Sequence, residues 1–100
     1  MIKVFISQPM RDKTNEEIKE ERQKAIKAAQ KLFCDEDVEV LDSFFENAPH
    51  EAKPLWFLGE SLKLLSTADV VVFTPGWSNY RGCKIEHICA MEYGIDSIEL

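Results

Sequence analysis

The chain has 100 residues, enough for one domain with a modest core and too few for two. Its formal charge of −6 and pI near 4.9 set it against a polyphosphate backbone, so no nucleic-acid polymer is expected as a partner. The apolar stretches fall far short of the ~20 residues of a membrane span, and no membrane partner is expected. The opening Met1-Ile2-Lys3-Val4-Phe5-Ile6-Ser7 is too short and too strand-like for a signal peptide. Cys34, Cys83 and Cys89 are an odd set without C-x-x-C spacing, which argues against a secreted disulfide scaffold. These features predict a single cytoplasmic domain over residues 1–100.

In chain order, Ile2 to Ser7 is a β-branched and aromatic run, the first predicted strand. Residues 7–12 form a loop, with Pro9 blocking extension of the strand. A helix begins after Thr14, where Thr14 and Glu17 have the spacing of a capping box. Ile18, Arg22, Ala25, Ile26, Ala29, Leu32 and Phe33 recur at three and four residues and give this helix one core-facing stripe.

A second short strand covers Val38 to Leu41 and runs out at Asp42-Ser43-Phe44-Phe45, with a loop over residues 46–53. Pro54 suits the first turn of a second helix, whose buried face is expected at Leu55, Leu58, Leu62 and Leu65. Val70 to Phe73 is an uninterrupted apolar run, as for a central parallel strand covered on both faces. Thr74 to Gly82 reads as a turn-rich loop; a third helix then runs to about Tyr93, is terminated by Gly94, and is followed by a last strand over Ser97 to Leu100.

The order β-α-β-α-β-α-β predicts an α/β fold, a three-layer, open, doubly wound parallel sheet of about four strands, Rossmann- or flavodoxin-like. In such sheets ligands sit beyond the carboxyl ends of the strands, at the switch in strand order. That rule selects the loops 7–12, 42–46 and 74–82.

Glu86 lies in the first turns of the third helix and would face this crevice, where the helix N-terminus favours its anion. A carboxylate there either attacks an electrophilic carbon or is an exposed helix glutamate. Arg11 and Arg81 are each either a bidentate phosphate or carboxylate ligand or a surface arginine. Ser7 and the amides after it could hold an anion, without the glycines of a dinucleotide or P-loop motif. Trp77 and Tyr80 either stack on a base or serve as packing and interface residues. Asp42 is either a hydrogen-bond acceptor for a sugar or base or a turn-capping residue.

His50 and His87 make no metal-ligand set with the cysteines, and no metal is expected. Cys34 and Cys89 read as core residues. Cys83, near a helix N-terminus, reads as structural rather than as a thiol of lowered pKa. Phe44, Phe45, Trp56 and Phe57 are either a contact surface or core under the second helix.

V-F-I-S-Q-P-M-R at 4–11, A-D-V-V-V-F at 68–73 and R-G-C-K-I-E-H-I-C-A at 81–90 resemble the nucleoside 2-deoxyribosyltransferase superfamily, which includes the deoxynucleoside 5′-monophosphate N-glycosidases. The third segment is the most specific, because the family places a glycine four residues before a nucleophilic glutamate, positions occupied here by Gly82 and Glu86. The resemblance implies cleavage of an N-glycosidic bond or deoxyribosyl transfer on a deoxynucleoside or its 5′-monophosphate, with Glu86 attacking C1′ and no cofactor. It implies that Ser7, Gln8, Pro9, Met10 and Arg11 lie near the sugar or its 5′-phosphate, with base contacts around Asp42 and Trp77; Arg81 and Gly82 join the same substrate-contacting set. The expected partner is a small nucleoside or nucleotide.

The family also carries an aspartate eight residues before the aspartate that opens the A-D-V-V-V strand. Counting back from Asp69 gives Ser61, which cannot act as a carboxyl acid. Glu60 is turned by about 100° from that position on a helix. The sequence also ends after its fourth strand, where transferases of the family usually continue. A non-catalytic nucleotide-binding or sensing module of the same fold is therefore the alternative, and a small interaction protein using the fold as scaffold is a third. A homo-oligomer, dimer or higher, is expected because a symmetric partner could close the open crevice of so small a domain.

Overall fold

The computed structural model of the protein describes residues 1–34, 36–43, 45 and 48–100. Its elements are β1 (Ile2–Ser7), α1 (Asn15–Leu32), β2 (Val38–Val40), α2 (Pro54–Leu65), β3 (Val70–Phe73), α3 (Arg81–Glu92) and β4 (Asp96–Glu99). A single 3₁₀ turn, Trp77–Asn79, precedes α3 inside the stretch expected to be loop. The four strands form one parallel sheet in the order β2-β1-β3-β4, so the expected doubly wound α/β fold is the one observed.

Strand alternation divides the core in two. Val4, Ile6, Val70 and Val72 face α1, where Ala25 and Ala29 allow close approach of helix and sheet. Phe5, Val71 and Phe73 face the other way, against Leu65 of α2 and Ala90 of α3. Burial of β3 on both faces accounts for its unbroken apolar sequence. At the amino ends of β1 and β3, the backbones exchange bonds through Asp69: its amide donates to Lys3 O and its carboxylate accepts from Lys3 N, each at 2.8 Å.

The capping box is formed as its spacing predicts: Thr14 Oγ1 accepts from Glu17 N at 3.1 Å, and the Glu17 carboxylate accepts from Thr14 N at 3.4 Å. Gly94, at φ 68°, lies in the left-handed region just past the end of α3, where an L-side chain is strained.

Several expectations change. Leu55 is 75% exposed, because Pro54 starts the helix on the rim; only Leu65 of the four leucines is fully buried, with Leu62 packed at the edge of that core. Leu32 is exposed at the fraying end of α1. Cys34 is exposed, whereas Cys89 packs against the Phe5–Phe73 core. Leu41 falls outside the ladder of β2 but still donates its amide to Val4 O at 2.9 Å, and β4 starts one residue earlier than its pattern suggests. No described helix is long and apolar enough to cross a membrane.

Thr14→Ala removes half of the capping box and is expected to cost about 1 kcal/mol of folding free energy in urea denaturation, with Thr14→Ser within a few tenths of the parent. Equal midpoints for the alanine variant and the parent would show that the box contributes nothing.

Candidate functional site at the strand ends

The strand order reverses between β1 and β3, which lie side by side although α1, β2 and α2 separate them in sequence. The loops leaving their carboxyl ends diverge to opposite faces and open a crevice there. On the α2/α3 side it is a broad cleft of about 1530 Å³, more than a nucleotide needs. The floor comes from the end of β1, one wall from the start of α2, and the other from the start of α3.

Glu86 lines this cleft with only 7% of its surface exposed. It is reached through the geometry of α3, which begins at Arg81 after the 3₁₀ turn that follows β3 and turns Cys83, Glu86 and Ala90 inward along one face. Ser7, the last residue of β1, points to the same side and donates its hydroxyl to Glu86 Oε1 at 2.7 Å. Cys83, one turn before Glu86 on the same helix face, is also buried. The three side chains form one buried polar group at the switch point.

Burial pushes the Glu86 carboxyl up from 4.5 to about 7, against the Ser7 hydrogen bond, which pulls it down. Glu86 is therefore not an exposed helix glutamate, and the helix N-terminus that favours its anion does not prevail. The desolvation of a carboxylate in this floor outweighs a dipole that has weakened by the second turn. Burial likewise drives the Cys83 thiol up to about 11, so it is a neutral thiol and not an activated one.

Pro9, Met10, Arg11, Ser61, Arg81 and Gly82 line the cleft with Glu86, as the sequence suggested. Gln8 reaches the cleft but sends its amide to the α1 face, where Nε2 donates to Ile18 O at 3.0 Å and approaches Glu21 Oε1 at 3.5 Å. Successive side chains of an extended chain point oppositely, so Ser7 and Gln8 serve different faces. Thr74 Oγ1 and Lys13 Nζ also reach the Glu21 carboxylate, each at 3.2 Å, in a small polar cluster behind the sheet.

Two predicted contacts fall elsewhere. Trp77 is not in the cleft wall: it stacks on His87, with ring centroids 4.2 Å apart, and tilts against Phe73, so its role is packing. Asp42 is exposed on the α1 side, where its charge acts on Arg22. Arg22 itself donates to Leu41 O and Ser43 Oγ and pins the chain leaving β2. Tyr80, the other loop aromatic, does line the cleft. Phe45 and Trp56 meet edge to face, as do Trp56 and Phe57, whereas Phe44 lies outside the described residues.

Cys83, read from sequence as structural, and Lys53 and Lys84, not singled out, also line the cleft. The signal for Cys83 was its i,i+3 relation to Glu86 on one helix face. Lys53 precedes α2 and Lys84 lies in the first turn of α3, so both were implied once those helix starts were placed at the strand ends.

No family model and no curated protein matches the chain. Among solved structures it is similar to a conserved protein from Enterococcus faecalis V583, at 14% identity and a TM-score of 0.70. The match covers 99% of this chain and 62% of that one, so this chain spans less than two thirds of its neighbour. At that identity the likeness shows the shared fold.

A buried carboxyl whose pKa is raised on folding makes the native state bind the extra proton between about 4.5 and 7. Its favourable contribution is full below pH 4.5 and is lost as pH rises through 7, a change of roughly 3 kcal/mol from this group. Glu86→Gln keeps an acceptor for Ser7 and removes the ionisation. It is expected to flatten the fall in stability between pH 5 and 8 and to unfold later than the parent at pH 8. Parallel stability–pH curves for the two proteins would mean that Glu86 is not held against ionisation.

Proposed function

We propose that the protein cleaves or transfers the N-glycosidic bond of a deoxynucleoside 5′-monophosphate, with Glu86 as the nucleophile, as members of the nucleoside 2-deoxyribosyltransferase superfamily do. The observation that carries this reading is the buried Glu86 carboxylate, hydrogen-bonded to Ser7 in the floor of the strand-end cleft. In this reading the ionised Glu86 attacks C1′, and the C1′–N bond breaks with its electron pair passing to the base. The base takes a proton from solvent in the open cleft. Water or a second base then attacks C1′, frees the carboxylate and loses a proton; two displacements retain configuration.

The walls favour the phosphorylated substrate over the free nucleoside. Arg11, Lys53, Arg81 and Lys84 line the cleft, against the carboxylates of Asp12 and Glu86, in a chain whose net charge is −6. This local reversal of sign suits a dianionic phosphate, and arginine can hold it bidentately. Ser61 lines the same cleft at the place where the family carries an aspartate, and that observation favours the second reading, a nucleotide-binding or sensing module without turnover. Self-association belongs to either reading, since Leu55, Ile85 and Ile88 are exposed on the helices that flank the cleft.

Incubation with the deoxynucleosides and their 5′-monophosphates, read for free base, separates the readings. Base release is expected from a monophosphate, is abolished in Glu86→Gln, and falls on the acid side of about pH 7 as Glu86 protonates. Arg81→Ala with Lys84→Ala is expected to raise KM for the monophosphate on the order of tenfold or more, since charge-assisted bonds are lost. A nucleotide that raises Tm without releasing base would select the sensing module; no release and no stabilisation from any of them would remove both.

A further inference from the structure

In a nucleotide the sugar joins the phosphate to the base, so a residue that meets C1′ has the two on either side of it. Glu86 lines the cleft between a wall from α3 and a wall from α2. The α3 wall begins with Arg81 and Lys84, which suit the phosphate. The α2 wall is apolar: Pro54, Phe57 and Leu58 come from the helix, and Phe45 from the chain that follows β2. We propose that this aromatic wall is the base subsite and that it selects purines over pyrimidines by stacking. The proposal rests on the reading of the cleft as a nucleotide site.

The wall is held in place from behind. Phe57 is 37% exposed and lines the cleft, apolar surface that the core does not absorb. The indole of Trp56, which is not among the lining side chains, meets Phe57 at 5.1 Å and 86° and Phe45 at 6.2 Å and 80°. One indole thus holds both phenyl rings edge to face. The chain leading to Phe45 is fixed as well. Arg22 donates to Leu41 O at 2.7 Å and to Ser43 Oγ at 3.1 Å, and Ser43 Oγ donates to Ile6 O at 3.4 Å. A ring already ordered loses little freedom when a base stacks on it.

The composition of the wall sets what it can distinguish. A bicyclic purine covers more of an aromatic surface than a pyrimidine ring does, and a cleft of about 1530 Å³ has room for either. Every base has a π-face, so stacking alone does not separate adenine from guanine. Their edges differ in donors and acceptors, but the carboxylates that line the cleft, Asp12 and Glu86, come from the loop after β1 and from α3. Ser43 and Ser61 also line it, and their hydroxyls donate or accept as the base requires. Adenine and guanine are therefore accepted alike. Tyr80 lines the cleft too, but as the N-cap of α3 next to Arg81 it belongs to the phosphate side.

The test separates binding from turnover, by calorimetric titration of the full chain carrying Glu86→Gln with the 5′-monophosphates of deoxyadenosine, deoxyguanosine, deoxycytidine and thymidine. The two purine nucleotides are expected to bind within about threefold of each other and on the order of tenfold tighter than the two pyrimidine nucleotides. Phe57→Leu keeps apolar bulk and helix propensity but removes the ring, and is expected to narrow that gap to about twofold. Phe57→Tyr keeps the ring and is expected to keep the gap, as is Tyr80→Leu on the other wall. Phe45→Leu takes the place of Phe57→Leu, with the same expected outcome, should the latter fail to fold. Pyrimidines bound as tightly as purines, a gap that survives loss of the ring, or a gap that closes in Tyr80→Leu overturns the proposal, as does no binding of any of the four. A purine gap that closes in Phe57→Leu, without base release by the parent chain, keeps the base subsite and removes the glycosidase reading. Base release without a purine gap does the reverse.

Discussion

The hydrogen bond from Ser7 to Glu86 joins residues 79 apart in sequence and ties the end of β1 to the second turn of α3. It exists only because β1 and β3 are neighbours in the order β2-β1-β3-β4, which brings the helix after β3 over the end of β1. Any other neighbour for β1 would leave Glu86 over a different strand end. It would then lack a partner for a carboxylate that is almost wholly removed from water, and such a group without a hydrogen bond is costly. The topology, the burial and the raised pKa are therefore one constraint seen at three scales.

That constraint also explains how an acidic chain presents a cleft suited to an anion. The carboxylates that give the chain its net charge lie largely on solvated surfaces, including the first turn of α1 and its capping box. At the strand ends, by contrast, α2 and α3 both begin, and neither has a side-chain cap. Their first turns carry or adjoin Lys53, Arg81 and Lys84. Whole-chain charge governs long-range repulsion from a polyanion, whereas a single phosphate responds to the groups within a few ångströms, so the two conclusions do not conflict.

Most of the fold was legible because it rests on local rules. The capping box at Thr14 and Glu17, the stripe Ile18–Ala25–Ala29, the doubly buried Val70–Phe73 and the terminating Gly94 each follow from spacing or backbone freedom. The site was legible only in position. Topology placed Glu86 and Arg81 in the cleft, but whether Trp77 faced a ligand or the core depended on the 3₁₀ turn at Trp77–Asn79, after which the indole stacks on His87. The protonation preference of Glu86 was misread for a similar reason. A helix start is visible in sequence, whereas desolvation depends on Ser7, Cys83 and the sheet beneath them, all brought in from elsewhere in the chain.

The alternation at the end of β1 shows how one short segment can carry both stability and chemistry. Ser7 faces α3 and binds Glu86, and Gln8 faces α1 and is fixed by Ile18 O and Glu21. Gln8 holds the segment rigid from behind the sheet, and Lys13 and Thr74 complete the Glu21 cluster that receives it. Hydrogen bonds on that face hold the segment that buries the carboxyl on the other. A carboxyl poised near neutrality destabilises the fold as it ionises, and a loosely held strand end would relax to let water reach it, returning the pKa toward 4.5. The polar cluster behind the sheet, which makes no hydrogen bond to Glu86, is therefore part of what keeps Glu86 dry.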